Sequence, residues 1–461
     1  MKTITRRNLL KGIGIGAGAA ALAACAAPTA MPPAKPAEPA KPADAKPAAP
    51  AVVNNPGSAV TIVHWGFSGG NLEKREKELA AKFNDSQKDV EVDIQVQGSY
   101  EETANKLTAS LAAKQAPDIV LLSDVWWFKF ARAKALLALN DAVAGEKGID
   151  ANDFVPSLWN EGLVKGAQHW IPFARSTPLF YYNKTMFKEA GIDKVPDTWQ
   201  GLVDLAPKLV KKDGDNIKVS LFSHPDGASY IAWLFQCVAW QFGGGYSDAK
   251  LTKYELLNPD TIRAGQFYAD SVNKGKWAVL SKDPQKDFIS GLTATTIMST
   301  GSLGGVVTDA KFDVGTAFLP MEKQFGCCTG GSGLAIPVTT PKEKVQAAMK
   351  YIAYATGNDG GAFWAQNSGY MPVRKSTADT QNYKDFFAKN PQFKTAVDQL
   401  PKTRPQDAAR NYVPGGDNII GKGLERIIVG KENVEAVWKD ITAQLEKEGE
   451  PVKKDIAALL G

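Results

Sequence analysis

The regular alternation of strand and helix patterns from residue 60 onward most constrains how this chain can fold. Residues 60–65 form an apolar run, and residues 90–96 alternate strictly between apolar and polar side chains, so both segments predict strands. Residues 117–122 predict a third, fully buried strand, whereas residues 72–83 and 100–114 have the apolar spacing of helices. This β-α-β-α-β order predicts an α/β fold in which helices cover both faces of a sheet.

The same kinds of element return later in the chain. Residues 295–298 and 314–318 predict strands, and residues 341–355 and 433–447 predict helices. Because 461 residues exceed what one compact domain usually holds, we expect two lobes. Hydrophobic residues make up 44% of the chain and charged residues 22%, which excludes a largely disordered chain and a multi-span membrane protein.

The net charge of +5 is concentrated at the start of the chain. Lys2, Arg6, Arg7 and Lys11 carry four of these charges, so the rest of the chain has a balance of only +1 (5 − 4). No basic domain face is implied, and we therefore expect no nucleic-acid partner.

The first 24 residues have the pattern of an export signal. A charged start precedes a short apolar stretch, and the string TRRNLLK at residues 5–11 resembles a twin-arginine signal. The string LAAC at residues 22–25 resembles a bacterial lipobox, in which the cysteine is lipidated. We expect Cys25 to anchor the protein to the outer face of the cell membrane; the alternative is an ordinary signal with an incidental cysteine.

Residues 25–57 are rich in proline and alanine. Such a segment cannot bury a core and favours extended polyproline conformations. It predicts a semi-rigid tether between the anchor and a folded body that begins at residue 58.

Aromatic and acidic side chains follow the three predicted strands. Trp65 ends the first strand, Tyr100 follows the second, and Asp124, Trp126 and Trp127 follow the third. Because ligands of open α/β sheets bind outside the carboxyl ends of the strands, these residues are candidates for a binding site. The two tryptophans could instead pack under the next helix, and Asp124 could cap that helix.

Motifs of cofactor and metal chemistry are missing from the sequence. The glycine-rich string at residues 330–333 lacks the Lys-Ser/Thr of a phosphate-binding loop, and the three histidines are too far apart for a zinc motif. We therefore expect no catalytic residue, no metal and no cofactor. A pair of glycosidase carboxylates stays open, because acidic residues are plentiful.

Three cysteines lie in the predicted folded body. Cys237 stands alone, and Cys327 and Cys328 are adjacent. They are either small buried residues or, in an oxidising compartment, a bridge from Cys237 to one of the pair.

Strung together, the motifs of residues 60–447 resemble the extracellular solute-binding proteins of ATP-driven sugar importers, a maltose-binding-like family (solute-binding protein family 1). The resemblance is strongest to its glycerol-3-phosphate and sugar binders. It is carried by VHWG at 63–66, KFNDSQKD at 82–89, GSYE at 98–101, APDIV at 116–120, IPFARSTPLFYYNK at 171–184, VPDTW at 195–199, GSL at 301–303, GGS at 330–332 and SGYMPV at 368–373.

The resemblance implies a two-lobed α/β fold of the type II periplasmic-binding-protein kind, with the ligand cleft between the lobes. One lobe would hold residues 58–175 and 327–370, and the other residues 176–326 and 371–461. Ligand would hold the lobes closed by a hinge motion. The protein would then act without chemistry on the ligand, as a monomer that delivers a carbohydrate to the permease subunits of an ABC importer.

The family's ligand-contacting positions fall on recognisable residues here. They map onto Tyr100, Asp124, Ser176, Ser299, Thr300, Gly330, Gly331, Tyr370 and, in a looser alignment, Arg410. Trp65, Trp126, Trp127 and Trp240 complete the candidate ligand-binding set; Trp240 could equally be a core residue.

This sequence has aromatic residues around the set that the family's pattern lacks. They favour a neutral mono- or oligosaccharide over glycerol 3-phosphate or another polyol phosphate as the ligand. An exported glycan-processing enzyme and a surface sugar sensor remain alternatives.

Overall fold

The computed structural model describes residues 59–144, 149–227 and 230–460. The predicted export signal, Cys25 and the whole predicted tether lie outside these residues. No helix in the described ranges is long and apolar enough to cross a membrane.

The strands form two main sheets and one short hairpin. They are β1 Val60–Gly66, β2 Val90–Val96, β3 Ile119–Ser123, β4 Leu163–Val164, β5 Ala167–Gln168, β6 Ile171–Ser176, β7 Pro178–Asn183, β8 Lys211–Asp213, β9 Asn216–Pro225, β10 Ala278–Ser281, β11 Thr293–Ser299, β12 Val314–Ala317 and β13 Gly330–Ala335.

Helices surround both sheets. They are α1 Gly70–Ser86, α2 Tyr100–Ala112, α3 Trp127–Arg132, α4 Asn140–Ala144, α5 Pro156–Trp159, α6 Lys184–Glu189, α7 Trp199–Val203, α8 Ala206–Leu209, α9 Ile231–Phe242, α10 Pro259–Asn273, α11 Pro284–Ile289, α12 Leu303–Asp309, α13 Lys342–Thr356, α14 Gly360–Ser368, α15 Lys375–Asp379, α16 Gln381–Lys389, α17 Lys394–Gln399, α18 Ala408–Asn411, α19 Gly416–Ile428 and α20 Val434–Leu459.

The first sheet has the strand order β2-β1-β3-β13-β6. Strand β1 pairs in parallel with β2 and β3, as the β-α-β-α-β pattern predicted, and β13 pairs antiparallel with β3 and β6. Strand β3 is buried along its whole length, which explains its uniformly apolar sequence.

The second sheet has the order β10-β9-β11-β7-β12. Strands β9, β10 and β11 run in parallel, whereas β7 is antiparallel to β11 and β12. The chain passes from the first sheet to the second at Thr177 and returns between β12 and β13. The predicted lobe boundary at residues 326/327 lies in the second connection, whereas the one at residues 175/176 lies within β6, before its last residue. The assignment of whole lobes stays a prediction.

The apolar core of the second sheet is centred on α9, in which every residue is buried. Helix α9 packs against α10 and α19, and α19 packs in turn against α20. Helix α20 extends twelve residues beyond the predicted end at residue 447 and contains Pro451. It continues because Val452 and Ile456 remain buried, so that packing outweighs the lost backbone hydrogen bond of the proline.

Candidate functional site

A cavity of about 850 Å³ opens between the ends of the two sheets. Its floor and walls come from the ends of β3, β6 and β11, from the starts of α2, α9 and α19, and from the 410–418 segment. The lining residues used below are Tyr100, Asp124, Trp126, Phe128, Lys129, Arg132, Ser176, Tyr230, Trp233, Ser299, Gly331, Tyr370, Arg410, Tyr412 and Asp417.

Tyr100 is held at the cavity by the start of α2. The side chain of Ser99 accepts from the backbone N–H of Glu102 at 3.2 Å, and the Glu102 carboxylate accepts from the backbone N–H of Ser99 at 2.7 Å. This capping box fixes the first helical turn, where Tyr100 lies. The Tyr100 hydroxyl donates to Ser332 Oγ at 3.2 Å, and burial raises the pKa of this phenol to about 12.

Tyr370 packs beside Tyr100 in an aromatic group of the first sheet. Its ring stacks on Phe67 and on Trp364, with centroids 6.1 Å and 5.8 Å apart, and Phe67 also meets Tyr100 edge-on. A Cβ on Gly301 would lie 2.4 Å from the Tyr370 ring, so the glycine is what allows this approach. The two phenols therefore lie on a rigid, stacked support.

Asp124 and Arg410 belong to a buried network at the cavity. Arg410 Nε donates to Asp417 Oδ1 at 2.6 Å, and its NH1 atom lies 3.5 Å from Asp124 Oδ2 and donates to Gln406. Gln406 Nε2 donates in turn to Asp124 Oδ2 at 2.6 Å. Every member of the network thus has a partner, as buried charges require.

The two carboxylates set the electrostatics of this network. Burial alone would lower the pKa of the Arg410 guanidinium, but Asp417 and Asp124 outweigh that effect and raise it. Burial raises the pKa of Asp417, against the opposing influence of Arg410. With one guanidinium between two carboxyl groups, the ionised network carries an excess negative charge.

Aromatic rings form the walls of the cavity. Phe128 and Tyr412 pack with centroids 4.8 Å apart, and Tyr230 meets Trp233 edge-on at 6.4 Å. Lys129 Nζ lies 5.4 Å from the centroid of the Trp126 ring. These walls offer flat apolar faces beside the charged network, a combination typical of sites for small polar solutes.

Gly331, a residue of β13, shapes the floor of the cavity. Gly331 has φ +101°, and a Cβ there would lie 2.1 Å from the carbonyl oxygen of Ala174. The backbone can therefore follow this path only without a side chain. The carbonyl of Gly331 accepts from the backbone N–H of Asp124 at 3.0 Å, which ties the turn after β3 to β13.

The structure brings eight of the predicted ligand-binding residues together. The eight that line the cavity are Tyr100, Asp124, Trp126, Ser176, Ser299, Gly331, Tyr370 and Arg410. The alternative role of Asp124 as a helix cap does not hold, because α3 begins after Trp126 and has no side-chain cap.

Three predicted tryptophans do not line the cavity. Trp65 points from β1 into the core, and Trp127 is buried at the start of α3, where its ring stacks on Trp170 at 5.7 Å. Trp240 is fully buried in α9 and donates through Nε1 to the Asp407 carboxylate. Trp127 thus packs under its helix, and Trp240 is a core residue, as the alternative interpretations stated.

Two further predicted residues are also excluded from the lining. Thr300 is fully buried behind Ser299, with its backbone N–H bound to the Thr177 carbonyl at 3.1 Å. Gly330 is covered by the Trp233 indole, which a Cβ would approach to 2.5 Å. Both lie one residue away from a position that does line the cavity: Thr300 follows Ser299, the last residue of β11, and Gly330 precedes Gly331 in β13.

Much of the opposite wall of the cavity has no clear signal in the sequence. Trp233 and Tyr230 gave no signal, because the α9 segment is apolar on all sides and its inward and cavity-facing aromatics look alike. Asp417 could have been found from the Gly-Gly-Asp string at residues 415–417, which follows Arg410 and opens α19.

Beside the cavity, a charged pair links the connections between the two sheets. Arg175 is fully buried at the end of β6, contacts Glu161, and lies 4.8 Å from the Trp170 ring centroid. Thr329 Oγ1, in the return connection, donates to Glu161 Oε1 at 2.6 Å. The carbonyl of Arg175 accepts from the backbone N–H of Met371 at 2.9 Å. The three chain segments near Arg175, Thr329 and Met371 are thereby tied at one point.

Comparison with known proteins shows which family and which relatives this chain resembles. The family described as bacterial extracellular solute-binding protein matches residues 78–395. The sn-glycerol-3-phosphate-binding periplasmic protein UgpB of Escherichia coli K12 is 29% identical over 406 residues, which are 84% of this chain and 90% of that protein.

Solved structures agree with the sequence comparisons. UgpB from Mycobacterium tuberculosis, in complex with glycerophosphocholine, is 37% identical, with a TM-score of 0.80 over 86% of this chain and 99% of that one. Maltose-bound MalE3 of T. maritima has the same fold, with 23% identity and a TM-score of 0.70 over 84% of this chain and 99% of that one. The predicted two-lobed, type II α/β fold is therefore confirmed, and the chain belongs to the bacterial extracellular solute-binding protein family.

Proposed function

We propose that this protein is the extracytoplasmic solute-binding component of an ABC importer. It captures a small hydroxylated solute in the cavity and delivers it, unaltered, to permease subunits. The family match and the full-length similarity to glycerol-3-phosphate and sugar binders support this role. The observation that carries the proposal is the buried network of Asp124, Arg410 and Asp417 between aromatic walls.

The charge of this network favours a neutral or zwitterionic solute. Arg410 is already bound by two carboxylates, so it has no spare charge for the dianion of a phosphate monoester. A phosphodiester carries one negative charge, which the exposed Lys129 at the cavity can balance, whereas Arg132 beside it pairs with Asp455 at 3.3 Å. A positive group on the same solute would be attracted to Asp124 and Asp417.

A glycerophosphodiester with a quaternary ammonium group fits these features best, with glycerophosphocholine as the representative. Aromatic faces attract such cations, and Phe128 and Tyr412 pack on each other and line the same cavity as Arg410 and Asp417. The bound glycerophosphocholine of the 37% identical UgpB supports the same class of ligand.

A neutral sugar is the second candidate. The specific observation in its favour is the number of aromatic rings that face the cavity beside acceptors and donors such as Asp124 and Ser176. Aromatic rings bind the CH faces of a sugar, and carboxylates and amides bind its hydroxyls.

The connections near Arg175, Thr329 and Met371 are proposed as the hinge between the lobes. They join the two sheets at one point, so that the cavity can close around a solute without disturbing either core. We further propose that the protein works as a monomer held at the membrane by lipidated Cys25 and by the tether of residues 25–57.

Titration calorimetry tests the proposed ligand class. Glycerophosphocholine, maltose and glycerol 3-phosphate are titrated separately into the purified protein. We expect saturable binding of glycerophosphocholine and little or none of glycerol 3-phosphate. Tight binding of glycerol 3-phosphate, or binding of none of the three, would contradict the assignment.

A matched pair of variants tests whether the ligand binds in the cavity. Asp124→Asn is expected to weaken binding at least 10-fold, about 1.4 kcal/mol, because it removes a buried charge of the network. Asp85→Asn is the control, since Asp85 is an exposed carboxylate at the end of α1 that does not line the cavity. Equal affinity of the two variants for the ligand would show that the binding site lies outside this cavity.

A further inference from the structure

A cluster of three buried thiols lies beneath the Trp233 wall of the cavity. Cys237 is on α9, one helical turn after Trp233, and Cys327 and Cys328 lie just before β13. All three side chains are at most 1% exposed. Cys237 Sγ lies 3.4 Å from Cys328 Sγ.

The neighbours of each sulfur distinguish the two adjacent cysteines. Cys328 Sγ and Cys237 Sγ both face the carbonyl oxygen of Trp233, at 3.9 Å and 4.0 Å. Cys327 Sγ lies against the carbonyl oxygens of Cys328 and Pro178, at 3.5 Å and 4.0 Å. The Cys327 side chain also interacts with that of Cys237. The sulfur–sulfur distance of 3.4 Å and the shared position under Trp233 favour Cys328 as the partner of Cys237.

We propose that Cys237 and Cys328 are joined by a disulfide in the extracytoplasmic protein, and that Cys327 remains a thiol. The two thiols lose two protons and two electrons as the S–S bond forms, and a disulfide-bearing protein oxidant takes up both and becomes a dithiol. Extracytoplasmic compartments favour such bonds. Because the thiols are inaccessible in the folded protein, the bond forms outside the cytoplasm either before α9 is covered or when this wall opens transiently.

The bond would stabilise one wall of the cavity. Trp233 Nε1 donates to the carbonyl oxygen of Thr329 at 3.0 Å, and Gly330 packs under the same indole. Cys237 and Cys328 are 91 residues apart and lie directly behind this contact, so a bond between them fixes the Trp233 ring against the segment that enters β13. The segment is also held on the α9 side by Gln241, whose side chain donates to the Gly326 carbonyl at 2.9 Å. The bond would therefore tie the return connection to α9 directly before Thr329, next to one of the three segments of the proposed hinge.

Peptide mapping of the whole protein tests this proposal. The full chain is exported by a bacterial host, treated with iodoacetamide without reductant, unfolded in the same reagent and digested with trypsin. We expect fragment 219–250, which contains Cys237, to be linked to fragment 324–342, with Cys327 alkylated. Full alkylation of Cys237, Cys327 and Cys328 would overturn the proposal, as would a link from Cys237 to Cys327 or Cys25, or one between Cys327 and Cys328.

Single and double variants provide the control. Cys327→Ala should keep the linked fragments, and the double variant Cys237→Ala/Cys328→Ala should lose them and lower the Tm by about 2–6 °C. Loss of the link in Cys327→Ala would contradict the assignment. The mapping of the wild-type protein decides the question even where a variant fails to fold.

Discussion

Two buried groups of ionisable side chains in this protein differ in charge: one holds a cation, and the other is neutral. At the cavity, the Arg410 guanidinium lies 3.5 Å from the Asp124 carboxyl group and 2.6 Å from that of Asp417, and both carboxyl groups raise its pKa, so the cation is retained. Behind β1, His64 and Glu76 are fully buried with 3.6 Å between Nε2 and Oε1, and His64 has no hydrogen-bond partner in the described part of the chain. Burial lowers the pKa of His64 to about 3 and raises that of Glu76 to about 8, so both are neutral near pH 6.

The difference shows where this fold keeps a charge. The cavity group opens on a space that a polar solute can fill, and its cost of burial is offset by hydrogen bonds. The group behind β1 faces only protein, and Glu76 serves as an acceptor for the Phe67 backbone N–H at 2.6 Å. It supports the aromatic group under Tyr370 without needing a charge.

The largest expected effect comes from removing the cation of the cavity group. Arg410→Met leaves the buried Asp124 with Gln406 alone and the partly buried Asp417 without its cation, so we expect the free energy of unfolding to fall by about 3 kcal/mol at pH 7. Urea denaturation followed by circular dichroism measures this change.

A matched substitution on the surface sharpens the same test. Arg426 pairs with Glu432 and Asp440 in a solvent-exposed network, so Arg426→Met should cost less than about 1 kcal/mol. Similar losses in Arg410→Met and Arg426→Met would mean that the cavity group is not the tightly paired site described above.

Because Glu76 is neutral in the folded protein, we expect the free energy of unfolding to depend on pH, with an effect of intermediate size. The folded protein holds the Glu76 proton up to about pH 8, whereas the unfolded chain releases it near pH 4.5, so stability falls as the pH rises through this window. Between pH 6.5 and 8 the contribution of Glu76 is a loss of about 1.5 kcal/mol.

The variant Glu76→Gln isolates this contribution. The amide keeps an acceptor for the Phe67 backbone N–H but cannot titrate, so the difference in unfolding free energy between variant and wild type should grow by that amount from pH 6.5 to 8. His64 opposes the trend only weakly, because its window lies between about pH 3 and 6.5. A constant difference between the two proteins would show that Glu76 is ionised in the folded state.

The smallest effect concerns the Tyr100 hydroxyl. Tyr100→Phe removes its hydrogen bond to Ser332, so we expect a loss of about 1 kcal/mol in stability. A double-mutant cycle with Ser332→Ala measures the coupling by urea denaturation. Additive losses in the two variants would indicate that the hydroxyl has no partner in the unliganded protein.

Much of the first sheet could be predicted from the sequence, and much of the second could not. The strands near residues 60, 90 and 120 have clear periods, and the rule that ligands bind at strand ends located Tyr100 and Asp124. The same rule failed for Trp127, because a sequence does not tell which of two neighbouring side chains turns inward. The wall from Trp233 to Asp417 is assembled by contacts of α9 with α19 and with the 410–418 segment that leads into α19, and these lie far from α9 in the chain.

A crystal structure with the tightest-binding solute of the calorimetry panel tests the central claim most directly. We predict that the solute lies in the cavity between Tyr100 and Tyr412, with a polar group within hydrogen-bond distance of Asp124 or Arg410. A solute bound outside this cavity, or inside it without contact to either residue, would contradict the account.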